Sequence, residues 1–276
     1  TIQALSKGAT DYLPKPEATQ LGGAEAYRDA LIGKIRLLGK REEAARPSAA
    51  PIPLRPLSLK PNDAPRPEIK IPSTPSLRQP QTRWTRPNVL VVASSTGGPQ
   101  ALQTVLPELC KKTDLPILVV QHMPPTFTAI LAEHLNATCG HTVAEGQQGE
   151  LVKSKHIYIA PGGYHMTVDK KGASYTIGIN QDAQVNFCRP AADVLFNSAA
   201  RAYGAAVTAL VLTGMGSDGC QGIATIVDQG GRSFVQDQKS SVVWGMPGSV
   251  YNAGLAHTML PLNEIADGIG KSLHGV

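Results

Sequence analysis

From Pro87 onward the chain repeats a short apolar run, a turn and a stretch of helical spacing. The runs Asn88 to Ala93, Ile117 to Gln121, His156 to Ile159, Ala206 to Leu212 and Arg232 to Val235 predict strands. Between or after them, Gln100 to Leu109, Phe127 to Leu135, Ala191 to Tyr203, Gly222 to Gln229 and Leu262 to Leu273 predict helices. Such alternation argues for an α/β fold built on a doubly wound, mostly parallel sheet. Tyr164 to Val168 and Ser174 to Ile179 alternate more strictly around Asp169-Lys170-Lys171-Gly172, which predicts an antiparallel hairpin at one edge.

Upstream the pattern changes. Leu21, Ala24, Leu31, Ile35 and Leu38 recur at approximately helical spacing and predict a helix over Ala18 to Leu38, weakened by Gly22, Gly23 and Gly33. Residues 40–86 lack apolar periodicity, and 11 of the 22 prolines lie from Pro47 to Pro87. Proline removes backbone donors and favours extended conformers, so this stretch reads as a solvated linker. The division expected is 1–39, a linker over 40–86, and a folded domain over 87–276.

Charge changes the picture only when it is mapped. The net charge of +5 invites a nucleic-acid partner, but residues 40–86 hold ten Lys or Arg against four Asp or Glu, and residues 87–276 hold eleven against thirteen. The basic excess belongs to the linker, and the domain suits neither nucleic acid nor a membrane surface. No apolar run approaches the roughly 20 residues of a membrane span. Cys110, Cys139, Cys188 and Cys220 are too scattered for a Cys-x-x-Cys metal or redox motif, which fits reduced thiols and a cytoplasmic setting. The chain starts at Thr1, not methionine, and reads as part of something longer.

Sites in open α/β sheets form at the carboxyl ends of strands. Ser95, His122 and Asp218 all follow apolar runs at such ends. A serine hydroxyl needs a base to take its proton, and the base works better when a carboxylate fixes its tautomer, so the three residue types compose a nucleophilic triad. Each has another reading when taken alone. The turn at Ser95 could cradle an anion on backbone N–H groups. His122 could cap a strand stopped by Pro124-Pro125, and Asp218 could cap the helix that follows it.

Several segments together are similar to one family. Ser-Ser-Thr-Gly-Gly at 94–98, Gln-His-Met-Pro-Pro at 121–125, Ile-Ala-Pro-Gly-Gly-Tyr-His-Met at 159–166 and Thr-Gly-Met-Gly-Ser-Asp-Gly at 213–219 occur in that order. With Arg189-Pro190 and Gly245-Met246-Pro247, they resemble the catalytic domain of the CheB chemotaxis methylesterase and glutamine deamidase family over about residues 87–276. Residues 8–16, with Lys15 before Pro16, resemble the last strand of a two-component receiver domain, whose lysine contacts the phosphoacceptor site. The receiver's acidic pair and phosphoacceptor aspartate are absent, so residues 1–39 look like the receiver's C-terminal part.

The resemblance implies a hydrolase that needs no metal or organic cofactor. Ser95 would be its nucleophile, His122 its base and Asp218 the orienting carboxylate, with Thr96, Met215, His165 and Arg189 around the substrate and oxyanion. Its substrates would be γ-glutamyl methyl esters and glutamines of chemoreceptors, and a histidine kinase would act through the receiver, which blocks the site until phosphorylated. A catalytically silent docking module and a general serine carboxylesterase are the alternatives. Two departures stand out: Cys188 where many relatives carry histidine, and Ser217 where asparagine is frequent. Neither is expected to touch the triad.

Overall fold

A computed structural model describes residues 27–28, 31–36, 76–78 and 85–273. Residues 27–28 and 31–36 are helical, inside the helix expected over Ala18 to Leu38, and belong to a unit separate from residues 85–273. Lys15, the strand expected beside it and most of the 40–86 linker lie outside the described residues.

Seven parallel strands form the central sheet in the order β3-β4-β2-β1-β7-β8-β9. They are β1 Val89–Ser94, β2 Ile117–Gln121, β3 Thr142–Glu145, β4 His156–Ile159, β7 Val207–Val211, β8 Arg232–Gln236 and β9 Thr258–Leu260. Six α-helices accompany them: α1 Gly98–Cys110, α2 Phe127–Asn136, α3 Ala192–Tyr203, α4 Cys220–Asp228, α5 Met246–Asn252 and α6 Ile265–Leu273. Every residue of β1, β2 and β7 is buried, as strands covered on both faces require. Leu90 and Val92, alternate residues of β1, share a core with Leu102, Val105 and Leu106 of α1, Leu131 of α2 and Ile269 of α6. Helices α3 and α4 pack together, and α3 also packs against β1.

The chain enters the sheet at its centre. From β1 it winds outward through β2, then returns to place β7 on the other side of β1. The carboxyl ends of β1 and β7 therefore flank the point where strand order reverses, which is where such sheets open a crevice.

Strands β5 His165–Lys171 and β6 Ser174–Asn180 form the expected antiparallel hairpin. It makes its own two-stranded sheet, packed against α3 and tied to it by the Val168 N–H, which donates to Ser198 Oγ at 3.1 Å. The pair Lys171↔Ser174 leaves a turn of only Gly172-Ala173, with Gly172 at φ 63°. Asp169 to Lys171, expected in that turn, extend the strand instead; backbone pairing across a hairpin continues past the last buried side chain.

Candidate active site

Strand β1 ends at Ser94, and the chain turns through Ser95, Thr96 and Gly97 into α1. Gly97 takes a left-handed φ of 77°, which glycine adopts without steric cost. At Gly98 a Cβ would overlap Gln121 Oε1 and lie 2.9 Å from Ser94 Oγ. The helix start thus packs directly on the end of β2.

Gln121 fastens the turns after β1 and β2 together. Its Oε1 accepts from Ser94 Oγ at 2.7 Å, and its Nε2 donates to the carbonyls of Ser95 at 3.0 Å and His122 at 3.3 Å. The His122 N–H donates to Ser94 O at 3.1 Å, continuing the β1–β2 ladder into the site. On the other flank the Ser95 N–H donates to Thr213 O at 3.0 Å, and Gly214 lies so close that a Cβ there would sit 2.8 Å from Ser95 Cβ. All these side chains are held by pairing between neighbouring strands, so Ser95 stands on a fixed platform.

His122 Nε2 lies 2.7 Å from Asp218 Oδ2. Asp218 is 2% exposed and also accepts from the Ala192 N–H at 2.6 Å, the Asp193 N–H at 3.1 Å and Asn186 Nδ2 at 3.0 Å. The first two donors belong to the opening turn of α3, where unpaired amides and the helix dipole favour an anion. Burial works to raise the Asp218 pKa, but the hydrogen bonds from His122, Ala192 and Asn186 outweigh it and hold the carboxyl below the usual aspartate range. Burial likewise disfavours the His122 cation. The Asp218 hydrogen bond and the Cys188 sulfur overcome it, and the imidazole is pushed up to about 9.

Beside this pair lies a second buried carboxyl. Asp193 accepts from the Gly222 N–H at 2.8 Å and from Asn186 Nδ2 at 2.8 Å, so one amide bridges two acids. Burial, helped by the Asp218 charge, pushes Asp193 up to about 6. The arrangement concentrates the negative charge on Asp218, the acid with the imidazole.

Cys188 does touch one of the three expected catalytic residues, contrary to expectation: its sulfur is 3.6 Å from His122 Nδ1. The reason is the tight loop before α3, which folds residues 185–188 back over the imidazole. Among the described residues no hydrogen bond joins Ser95 Oγ to His122, so in this resting arrangement the nitrogen that is free of Asp218 faces a thiol. Such contacts often tighten only around substrate.

The other expected site residues are placed as follows. Thr96 is buried, and its carbonyl accepts from Thr213 Oγ1 at 3.0 Å. Met215 is 49% exposed on the loop after β7. Arg189 lines a cavity of about 230 Å³ beside His122, with Nη1 donating to Gln181 O and Asp182 O, each at 3.0 Å. His165 is buried, its Nε2 3.1 Å from Ala183 O and its Nδ1 accepting from the Ala191 N–H at 3.2 Å, so it braces the loop before α3 and has no ring nitrogen left for a substrate. Gln121, Asn186 and Asp193 escaped the sequence reading. Only Gln121 left a signal, as the residue before the histidine in a recognised segment.

His122, Cys188 and Asp218 also bring potential metal-ligand atoms within 4.8 Å of one another. The Asp218 oxygens, however, already accept from two backbone amides, Asn186 and His122, so the cluster is better built for orienting an imidazole.

A base must be neutral to take a proton. With His122 pushed up to about 9, kcat/KM is expected to climb as pH increases from 6 and to level only above about pH 9. A profile that is flat from pH 6 upward would contradict a raised imidazole.

The CheB methylesterase family model matches residues 90–269. A protein-glutamate methylesterase/protein-glutamine glutaminase of Rhodopseudomonas palustris (strain BisB5) is 44% identical over 281 residues, covering 100% of this chain and 71% of the relative. Another, of the group 2 operon of Bradyrhizobium diazoefficiens, is 46% identical over 287 residues, covering 100% of this chain and 72% of the relative. The crystal structure of the Thermotoga maritima CheB methylesterase catalytic domain superposes with a TM-score of 0.66 at 38% identity, covering 68% of this chain and 100% of that one. With the motifs, the parallel sheet and these matches in agreement, this chain belongs to the CheB methylesterase family.

Proposed function

We propose that the chain hydrolyses γ-glutamyl methyl esters on chemoreceptors, releasing methanol, and deamidates receptor glutamines by the same route. The observation that carries this reading is the contact of Asp218 with His122 Nε2 at 2.7 Å, on a turn that the His122 N–H, donating to Ser94 O at 3.1 Å, ties to the turn of Ser95. Nδ1 of His122 then takes the proton of Ser95 as its oxygen attacks the γ-carbonyl. The tetrahedral oxyanion is met by Thr96, in the turn before α1, and by the backbone of Met215, on the loop after β7. His122 returns the proton to the methoxy oxygen, methanol leaves, and an acyl-enzyme remains. Water, deprotonated by the same imidazole, cleaves it to the carboxylate. An amide differs only in releasing ammonia.

Residues 1–39 are proposed to be the C-terminal part of a receiver domain with Lys15 at its phosphorylation site, 40–86 a linker and 87–276 the catalytic domain. The receiver is the element through which a histidine kinase would act. Among the described residues no helix is long and apolar enough to cross a membrane. A cytoplasmic location follows from the receptor and kinase partners proposed here.

The test is release of labelled methanol from receptor carrying isotopically labelled methyl esters. Release at a rate well above that for a small glutamate ester is expected. Comparable rates on both would favour a general carboxylesterase, and no release from folded protein would favour a silent docking module.

A further inference from the structure

Asn186 and Phe187 form the two-residue tip of a tight hairpin in which Val185 and Cys188 exchange backbone hydrogen bonds of 3.1 and 2.9 Å. Both tip residues have positive φ, 52° and 61°, the geometry of a type I′ turn. Asparagine tolerates this region, and here Asn186 is anchored by Asp193 and Asp218. Phenylalanine does not: its Cβ is crowded at positive φ, and glycine is the usual occupant of that position. Phe187 is moreover 96% exposed, so nothing within the described protein compensates for displaying the ring. A strained, solvent-facing aromatic directly before the cysteine on His122 points to a use outside the fold.

The surroundings say what that use is. Between residues 85 and 273 the exposed large apolar side chains are Leu151, Tyr164, Phe187 and Met215. Three of these four rim the triad. Phe187 lines the cavity beside His122, and Met215 follows Gly214, which abuts Ser95. Tyr164 follows Gly163, whose N–H donates to Arg189 O at 3.1 Å. A methyl ester is too small to need such a rim. A folded polypeptide bearing the ester would bring neighbouring apolar side chains against it.

Resting on the methylesterase reading above, we infer that Phe187 is a substrate-contact residue that anchors apolar side chains flanking the esterified glutamate, and so sets the preference for a protein substrate over a small ester. An exposed aromatic that becomes buried on binding is the kind of residue that dominates recognition. The contact acts on binding of the protein substrate, so its loss raises KM more than it lowers kcat.

The test measures kcat and KM of wild type, Phe187→Ala, Phe187→Gly and Phe187→Leu on methylated receptor and on a small glutamate methyl ester, with Tm for each. In the Ala and Gly variants the ratio of kcat/KM for receptor over small ester is expected to fall roughly tenfold, carried mainly by KM, with Leu retaining most of it. Phe187→Gly is expected to melt above Phe187→Ala, the reverse of the usual order, because only glycine relieves the turn. An unchanged ratio, or an equal fall on both substrates, overturns the inference. Wild type that turns over the small ester but not receptor would instead refute the methylesterase reading itself.

Discussion

Ser95→Ala is expected to lower methanol release from methylated receptor by about four orders of magnitude or more, the scale seen when a triad nucleophile is removed. Stability should move by no more than about 0.5 kcal/mol, as for substitutions that break no buried network. Ser95 is half-buried, and its hydroxyl makes no hydrogen bond among the described residues, so truncation orphans no partner. The platform beneath it uses only backbone atoms of residue 95: its N–H on Thr213 and its carbonyl under Gln121 and Gly98. Rate and stability should therefore separate cleanly, read by labelled-methanol release and urea unfolding. If the variant kept a hundredth or more of the wild-type rate, the nucleophile would lie elsewhere. Cys188, 3.6 Å from His122 Nδ1, would be the group to examine by mass spectrometry of the trapped acyl-enzyme.

Asp218 is expected to show the opposite behaviour, with rate and stability falling together. Asp218→Ala leaves the Ala192 and Asp193 amides without their acceptor at a buried helix start. Unsatisfied buried donors cost about 1–3 kcal/mol each, and relief of the repulsion with Asp193 offsets part of that, so a loss of about 3 kcal/mol is expected. Turnover should drop roughly ten-thousandfold, since neither the tautomer nor the cation of His122 is then supported. Asp218→Asn separates the two effects. It keeps the shape and one acceptor oxygen, so it should be the more stable variant while remaining nearly as inactive. It also removes the charge that raises His122, so its residual activity should climb at lower pH than in wild type. An Asn variant within tenfold of wild-type rate would show that this carboxylate does not orient the base.

The central strands and the longer helices were legible because their signal is burial. Strands β1, β2 and β7 bury every residue and appear in the sequence as unbroken apolar runs. The elements missed are those that burial marks weakly. In β3 only Val143 is buried, and β9 has three half-buried residues, as befits strands at the two edges of the sheet. Helix α5 is seven residues long and carries Pro247 and Gly248, too short and irregular for periodicity to register.

For the site, the sequence by itself determined that a serine, a histidine and an aspartate each stand at the end of an apolar run, and the surrounding segments determined the family. Only the tertiary structure decided how they meet. Strand order set β2 and β7 on either side of β1, which brings Ser94 to Gln121 and His122 to Asp218, pairs 27 and 96 positions apart. It also decided that Asp218 is held by the first amides of α3 and that Cys188 lies on the imidazole, where the sequence suggested no contact with the triad. Apolar periodicity records which face of an element avoids water, a local property of the chain. Which elements become neighbours depends on pairing and packing between distant segments, and the hydrogen bonds that tune a catalytic group arise only once those neighbours are in place.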